Sequence, residues 1–202
     1  MGHVYINGGL VRRLWVSDRT PFLDHLLRLD RESRHNRFGG AVSDEFLGQY
    51  ASRCFGADDV IYGFFVDGIL RGAGELRPIG IGDDPKAGPR AAEAAFSVEN
   101  DYRRAGVGTE LMARITRAAR NRRADTLFMT CLSHNQAMQG LARKFEADLR
   151  FEFDSVTGRL IGRTPTPLSL WGEAMDDAAG FATAIIDLQR RAFSNPVASA
   201  HT

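Results

Sequence analysis

Residues 92–112 read Ala-Glu-Ala-Ala-Phe-Ser-Val-Glu-Asn-Asp-Tyr-Arg-Arg-Ala-Gly-Val-Gly-Thr-Glu-Leu-Met, and no other segment constrains the chain so strongly. Residues 93–98 alternate as a strand: Glu93, Ala95 and Ser97 share one face, Ala94, Phe96 and Val98 the other. Residues 106–122 then read as a helix, with Val107, Leu111, Ile115 and Ala118 at spacings of four and three. Glu110 stands four before Arg114, the favourable order for an ion pair. A strand that runs into a helix opening on Gly106 and Gly108, with Arg103 and Arg104 just before it, is built for an anion. The first amides of a helix lack intrahelical partners, the helix dipole is positive there, and glycines let a phosphate reach the backbone. No Lys-Ser or Lys-Thr follows, so this is not a nucleoside-triphosphate loop. Thr109-Glu110-Leu111 lacks the third glycine of a dinucleotide turn. The pattern left is Arg-x-x-Gly-x-Gly.

Around this segment the order of elements is that of a mixed sheet flanked by helices, an α/β (α+β) fold. Residues 10–16 read as a strand. Thr20 then caps a helix with Pro21 in its first position, and Phe22, Leu26, Leu27 and Leu29 give it an apolar side. Residues 31–40 are basic and end on glycine, which predicts a loop. Ser43 caps a second helix through Phe46, Tyr50 and Phe55. Residues 60–66, Asp67-Gly68 and residues 69–77 form a hairpin, and residues 78–90, rich in glycine and proline, a loop. Residues 126–132 are an apolar strand, 135–145 a helix, and Leu149, Phe151 and Phe153 alternate as a strand. Gly158 is expected to turn the chain into residues 159–162, and Pro165 and Pro167 to break it again. A last helix covers about residues 171–193, with Trp171, Met175, Ala178, Ala182 and Ile185 on one face. The division expected is a domain over 1–164 and a helical extension over 165–202, packing on that domain or on a partner protomer.

Lys and Arg number 26 against 25 Asp and Glu, a net charge of +1. No whole-molecule field therefore drives the chain onto nucleic acid or an anionic membrane. No apolar run approaches the roughly 18 residues of a membrane span, and residues 1–20 do not read as a signal peptide. Cys54 and Cys131 form no Cys-x-x-Cys pair and the five histidines are scattered, so no metal is expected. The cysteines read as thiols of a cytoplasmic protein, with a single disulfide as the alternative.

The segment from Arg103 to Gly108 resembles the acetyl-CoA-binding motif of the GNAT N-acetyltransferase superfamily, Gln/Arg-x-x-Gly-x-Gly/Ala. The resemblance extends to the following strand and a helix opened by Asn135, so that most of residues 10–163 map onto that fold. The Ala-Glu-x-Ala run at residues 92–95 and the segment Leu-Asp-Arg-Glu-Ser-Arg-His-Asn-Arg-Phe at 29–38 are similar to the subclass related to bacterial protein-lysine acetyltransferases. The resemblance implies a GNAT fold, with a mixed, mostly antiparallel sheet. It also implies acetyl-CoA as cosubstrate, and acetyl transfer to a primary amine, of a small molecule or a protein lysine, by direct attack. A non-catalytic acyl-CoA-binding sensor or regulatory module is the alternative.

By the same resemblance, the backbone of Arg103, Arg104, Ala105, Gly106, Val107, Gly108 and Thr109 holds the pyrophosphate. The main chain of Val98 and Glu99 pairs with the pantetheine arm. Asn135 either bonds the pantetheine region or simply caps its helix. Glu93, ten residues before Arg103, is the expected general base, set among alanines whose desolvation would raise its pKa; the bland alternative is an ion pair with Arg71 or Arg77. Glu75, on the neighbouring strand, is the rival base. The family's usual tyrosine acid falls at Ala142, and Glu146-Ala147 replaces its Gly-Phe ending. Cys131, Ser133 and His134 are the nearest other proton donors. The last helix is expected either to pair two chains as a homodimer or to pack on its own sheet.

Overall fold

The computed structural model describes residues 5–6, 8–79 and 91–194. Most of the loop expected over residues 78–90 therefore lies outside the described residues. Eight strands form one sheet: β1 (Tyr5–Ile6), β2 (Gly9–Arg13), β3 (Val60–Val66), β4 (Ile69–Ile79), β5 (Ala91–Val98), β6 (Thr126–Leu132), β7 (Asp148–Phe151) and β8 (Ser155–Ile161). Their order across the sheet is β1-β2-β3-β4-β5-β6-β8-β7. Every neighbouring pair is antiparallel except β5 and β6, which run parallel. The helices are α1 (Arg19–Arg28), α2 (Arg31–Phe38), α3 (Asp44–Arg53), α4 (Val107–Asn121), α5 (Gln136–Lys144) and α6 (Pro167–Ser194).

Strand alternation divides the core between two faces. Val60, Tyr62 and Phe64 of β3 pack with Leu76, Ala92 and Ala94 against Val107, Leu111, Ile115 and Ala118 of α4. Ile61, Phe65, Leu70 and Ala73 face the other way and receive Phe22 and Leu26 from α1 and Leu47 and Ala51 from α3. The β3–β4 hairpin turns on Asp67 (φ 50°) and Gly68 (φ 76°), as two left-handed turn residues require. Ser43 caps α3, accepting from the Phe46 amide at 3.1 Å, and Arg114 reaches back to Glu110 at 2.7 Å. Both cysteines are free thiols.

Four expectations are corrected. First, α1 begins at Arg19, with Asp18 rather than Thr20 in the cap position. The Asp18 carboxylate makes no cap bond to α1; it is buried in a fork-to-fork pair with Arg12 at 2.7 and 2.9 Å and accepts from the Trp15 amide at 3.1 Å. Second, the segment read as a loop over 31–40 is helix α2. Asp30 caps it at the Ser33 amide (2.8 Å), and Gly39 closes it at φ 74°. The helix has few apolar residues because ionic and hydrogen-bonded contacts anchor it. Third, Gly158 makes no turn and lies inside β8, opposite Met129. A Cβ there would meet the Met129 side chain at 2.9 Å, so the glycine serves close approach between strands.

The fourth concerns α6, which begins at Pro167, a residue expected to break the chain. Proline suits the first turn of a helix because its missing amide has no acceptor there. The helix packs on the protein's own β2 and α4, but through its polar face. Glu173 bonds Arg122 and Asn121, Asp176 bonds Arg114 and Arg117, and Asp177 bonds Arg13. The face carrying Trp171, Met175 and Ile185 is turned outward, with those residues 68%, 47% and 42% exposed.

One buried polar contact ties α1 to the end of β5. His25 is fully buried, with Nδ1 3.1 Å from Glu99 Oε1 and Nε2 2.9 Å from Ser97 Oγ. A carboxylate only accepts, so Nδ1 carries the hydrogen and Nε2 accepts from the Ser97 hydroxyl. Burial holds the His25 pKa below its usual 6.5, against the opposing pull of Glu99. The folded protein therefore refuses a proton that the unfolded chain takes up below pH 6.5, so stability falls as the pH drops through that value. Urea-unfolding midpoints at pH 7.5 and 5.5 should show this loss, and His25→Gln should remove most of the difference; a midpoint equally pH-dependent in the variant would refute the assignment.

Candidate active site

The parallel pairing of β5 with β6 spans only Ala91↔Thr126, Ala92↔Leu127 and Glu93↔Phe128. Beyond Glu93, β5 stays registered to β4 as far as Val98↔Gly72, while β6 stays registered to β8 as far as Leu132↔Ser155. The sheet thus opens as a wedge whose apex is at Glu93 and whose mouth is at Val98. Among the described residues, the β5 edge facing that wedge carries main-chain groups with no strand beside them.

At the mouth, β5 passes through a 3-10 turn (Asn100–Tyr102) into α4. Arg104 (φ 57°) and the cap residue Gly106 (φ 86°) are both left-handed, a conformation that suits glycine at the cap. No side chain caps α4. The first amide with a helical acceptor is that of Glu110, bonded to the Gly106 carbonyl at 3.1 Å. The helix supplies no acceptor to Val107, Gly108 or Thr109. Lys144, at the end of α5, brings its Nζ to 3.3 Å from Thr109 Oγ1. Arg103 and Arg104 are both exposed, and Arg103 acts as a strut: its Nε donates to the Val98 carbonyl (3.0 Å) and its Nη2 to Ser33 on α2 (2.7 Å). The amide of Arg103 is already donated to Asn100.

The other expected cofactor residues are partly engaged. The Glu99 amide donates to the Arg71 carbonyl at 2.9 Å. The Glu99 side chain is held by His25, Arg28 and Arg71. Asn135 accepts from the Met138 amide at 3.1 Å and so caps its helix, one of the two roles expected for it.

On the α1–α3 side of the sheet the two candidate bases differ sharply. Glu75 is 1% exposed and bonded three ways: to Arg37 (2.5 Å), to the Tyr50 hydroxyl (2.8 Å) and to Arg77 (2.9 Å). Burial alone would raise its pKa, but the Arg37 and Arg77 guanidiniums outweigh burial and hold it below 4.5. Glu93 is exposed at the wedge apex, without the desolvation expected from its alanine neighbours. It stands opposite Arg77 in register, but Arg77 is bonded to Glu75 and Cys54, and Arg71 to Glu99.

Ala142 is buried against Met112 and Met129. Cys131 is buried and its thiol is pushed upward in pKa by that burial. His134 is exposed and its ring stacks 6.2 Å from His35 of α2. A cavity of about 730 Å³ lies toward the other end of α4, between Arg117, Leu127, Arg159 and Leu160. It shares Lys144 with the glycine turn but not the wedge residues.

Sequence reading missed the partners of Glu75 and the approach of Lys144. A signal existed for the first: an acid on the buried face of an apolar hairpin strand demands a cation. None existed for Lys144, since only the packing of α5 beside α4 sets that distance.

The model of the acetyltransferase (GNAT) family matches residues 22–147. No curated protein matches by sequence. Among solved structures, the GNAT domain of S. lividans PAT is 22% identical with a TM-score of 0.67, over 79% of this chain and 96% of that one. Ribosomal-protein-alanine N-acetyltransferase from Brucella melitensis is 17% identical (TM-score 0.58; 75% and 99% covered). YncA from Salmonella typhimurium, solved with its cofactor acetyl-CoA, is 15% identical (TM-score 0.57; 79% and 97% covered). These likenesses agree with the observed fold, and the family match spans both the helices over the sheet and the wedge. The chain belongs to the GNAT family of acetyl-CoA-dependent acetyltransferases.

Proposed function

We propose that the protein transfers acetyl from acetyl-CoA to a primary amine, with the pantetheine arm along the free edge of β5 and the pyrophosphate at the start of α4. The observation that carries this reading is the uncapped α4 terminus at the mouth of the β5–β6 wedge. The chain's own residues fit the cofactor: helix amides at Val107, Gly108 and Thr109 that the helix itself leaves without an acceptor, no side chain on Gly108, and Arg104 and Lys144 nearby. Bound there, acetyl-CoA supplies an activated thioester.

An amine of pKa near 10.4 must shed a proton to attack. Glu93 is the proposed acceptor of that proton, since it stands exposed at the wedge apex, where water can relay the proton. Glu75, already ionised and fully bonded, acts instead as an anchor that holds α2 and α3 over the sheet. With Ala142 in place of a tyrosine, the departing thiolate is protonated by water, which its ordinary pKa near 8.5 allows. The acceptor we favour is a protein lysine. The segment at 29–38 forms α2, which packs against both β5 and β6 and so walls the acceptor side of the wedge. The missing tyrosine favours a second reading, a non-catalytic acyl-CoA sensor.

Three outcomes follow. Glu93→Gln should bind acetyl-CoA as the native protein does while amine-dependent CoA release falls roughly 10²–10⁴-fold; unchanged release would remove Glu93 from the chemistry, and no release from the native protein with any lysine peptide or amine would favour the sensor. Gly108→Ala places a methyl in ordinary contact with Leu141, at 3.7 Å, so the fold should hold while calorimetry shows acetyl-CoA affinity lost. Native affinity in that variant would move the pyrophosphate elsewhere. Glu75→Ala leaves Arg37 buried without its carboxylate and should cost about 3–5 kcal/mol of stability, read from urea unfolding.

A further inference from the structure

From Pro167 to Leu188, α6 carries four charged residues, Glu173, Asp176, Asp177 and Asp187, and all four turn toward the domain. The outward face holds only uncharged residues. Leu168, Trp171, Met175, Ala178, Ala182 and Ile185 follow one another at spacings of three and four, the seam of a helix that pairs with another helix. The inner face already has its partners, whereas on the outward face of this ion-paired helix the one ring contact among the described residues is that of Phe181 with Trp15, edge-on at 5.4 Å between centroids.

The outward face is also self-complementary. Around Ala178, large apolar residues sit at matched distances on either side: Met175 and Phe181 at three residues, Trp171 and Ile185 at seven, Leu170 and Ile186 at eight, Leu168 and Leu188 at ten. Ala174 and Ala182 match at four and leave the centre small. A helix laid antiparallel on an identical helix, crossing at Ala178, sets each large residue of one against an apolar residue of the other. The centre then allows close approach. These eight large side chains are 42–78% exposed. Together they make the outer side of the helix an exposed apolar surface.

We infer that α6 is a homodimer interface, in which two copies of this chain pair antiparallel about a two-fold axis at Ala178. The surface chemistry separates this from membrane association. A helix lying in a membrane surface carries Lys and Arg on its polar face. Here the polar face from 167 to 188 is acidic and engaged by the domain's own arginines. No described helix, α6 included, is long and apolar enough to cross a membrane. A closed two-fold contact also satisfies the patch without leaving a face for further addition.

The test is the solution mass of the full chain, with cysteine variants to fix the geometry. Light scattering should give twice the 22.3 kDa of one chain. Ala178→Glu, at an exposed site where helix and fold are undisturbed, should give one chain mass with an unchanged far-UV circular dichroism spectrum. In the proposed pairing, a short bis-maleimide should join Ala178→Cys to its copy. It should leave Trp171→Cys unlinked, because those positions stand about 20 Å apart along the axis. A monomer at all concentrations, a dimer indifferent to Ala178→Glu, or linkage at 171 but not at 178 would each overturn the inference. So would a monomer that sediments with anionic vesicles, which would assign the face to a lipid surface.

Discussion

The β5 strand is hydrogen-bonded along its whole length on one edge and along three residues on the other. The proposed cofactor site depends on that inequality. Had β6 stayed with β5 to its end, the main-chain groups after Glu93 would be spent on the sheet. The parting frees them, and it does so where the chain leaves β5 for α4. The exit brings the uncapped amides of Val107, Gly108 and Thr109 to the same opening. One irregularity thus supplies both an extended edge for a linear arm and a positive helix end for an anion.

Around the wedge, buried charge does work that apolar packing does elsewhere. Helix α2 has little apolar surface and is held by the Asp30 cap, by Arg103 reaching Ser33, and by Arg37 bonded to Glu75. Helix α1 is fastened to the end of β5 through His25, Ser97 and Glu99. Such contacts are directional, so they fix where a helix sits along its axis more tightly than a greasy face does. Breaking one partner strands the other in a dry place, which is why these residues weigh on stability as well as on shape. Helix α6 shows the same habit at the far side of α4, where Arg12, Arg13, Arg114, Arg117 and Arg122 receive its acids. Its apolar residues are consequently left outside.

Residues 106–122 could be read as a helix because Val107, Leu111, Ile115 and Ala118 repeat at its period, and each is buried as the period requires. Asp67-Gly68 announced its hairpin because few residue pairs accept two left-handed conformations in a row. Helix α2 escaped reading for the converse reason: its stabilising partners lie far along the chain, at Glu75 and Arg103, and leave no periodic trace. Gly158 misled because a glycine needed for contact with Met129 looks, in sequence, like a glycine needed for a turn.

What the sequence determined by itself was local: the strand-to-helix turn with Gly106 and Gly108, the caps at Ser43 and Asn135, the alternation of β3 and β5, and through these the family. Those features depend on backbone conformation and periodicity, which neighbours in the chain specify. The tertiary structure alone decided that Glu75 is a bonded anchor while Glu93 stands open at the wedge apex. It also decided that Arg103 is a strut, and that α6 turns its acids inward. Each of these is a question of which distant cation meets which carboxylate, and the chain's order of residues does not record distance in space.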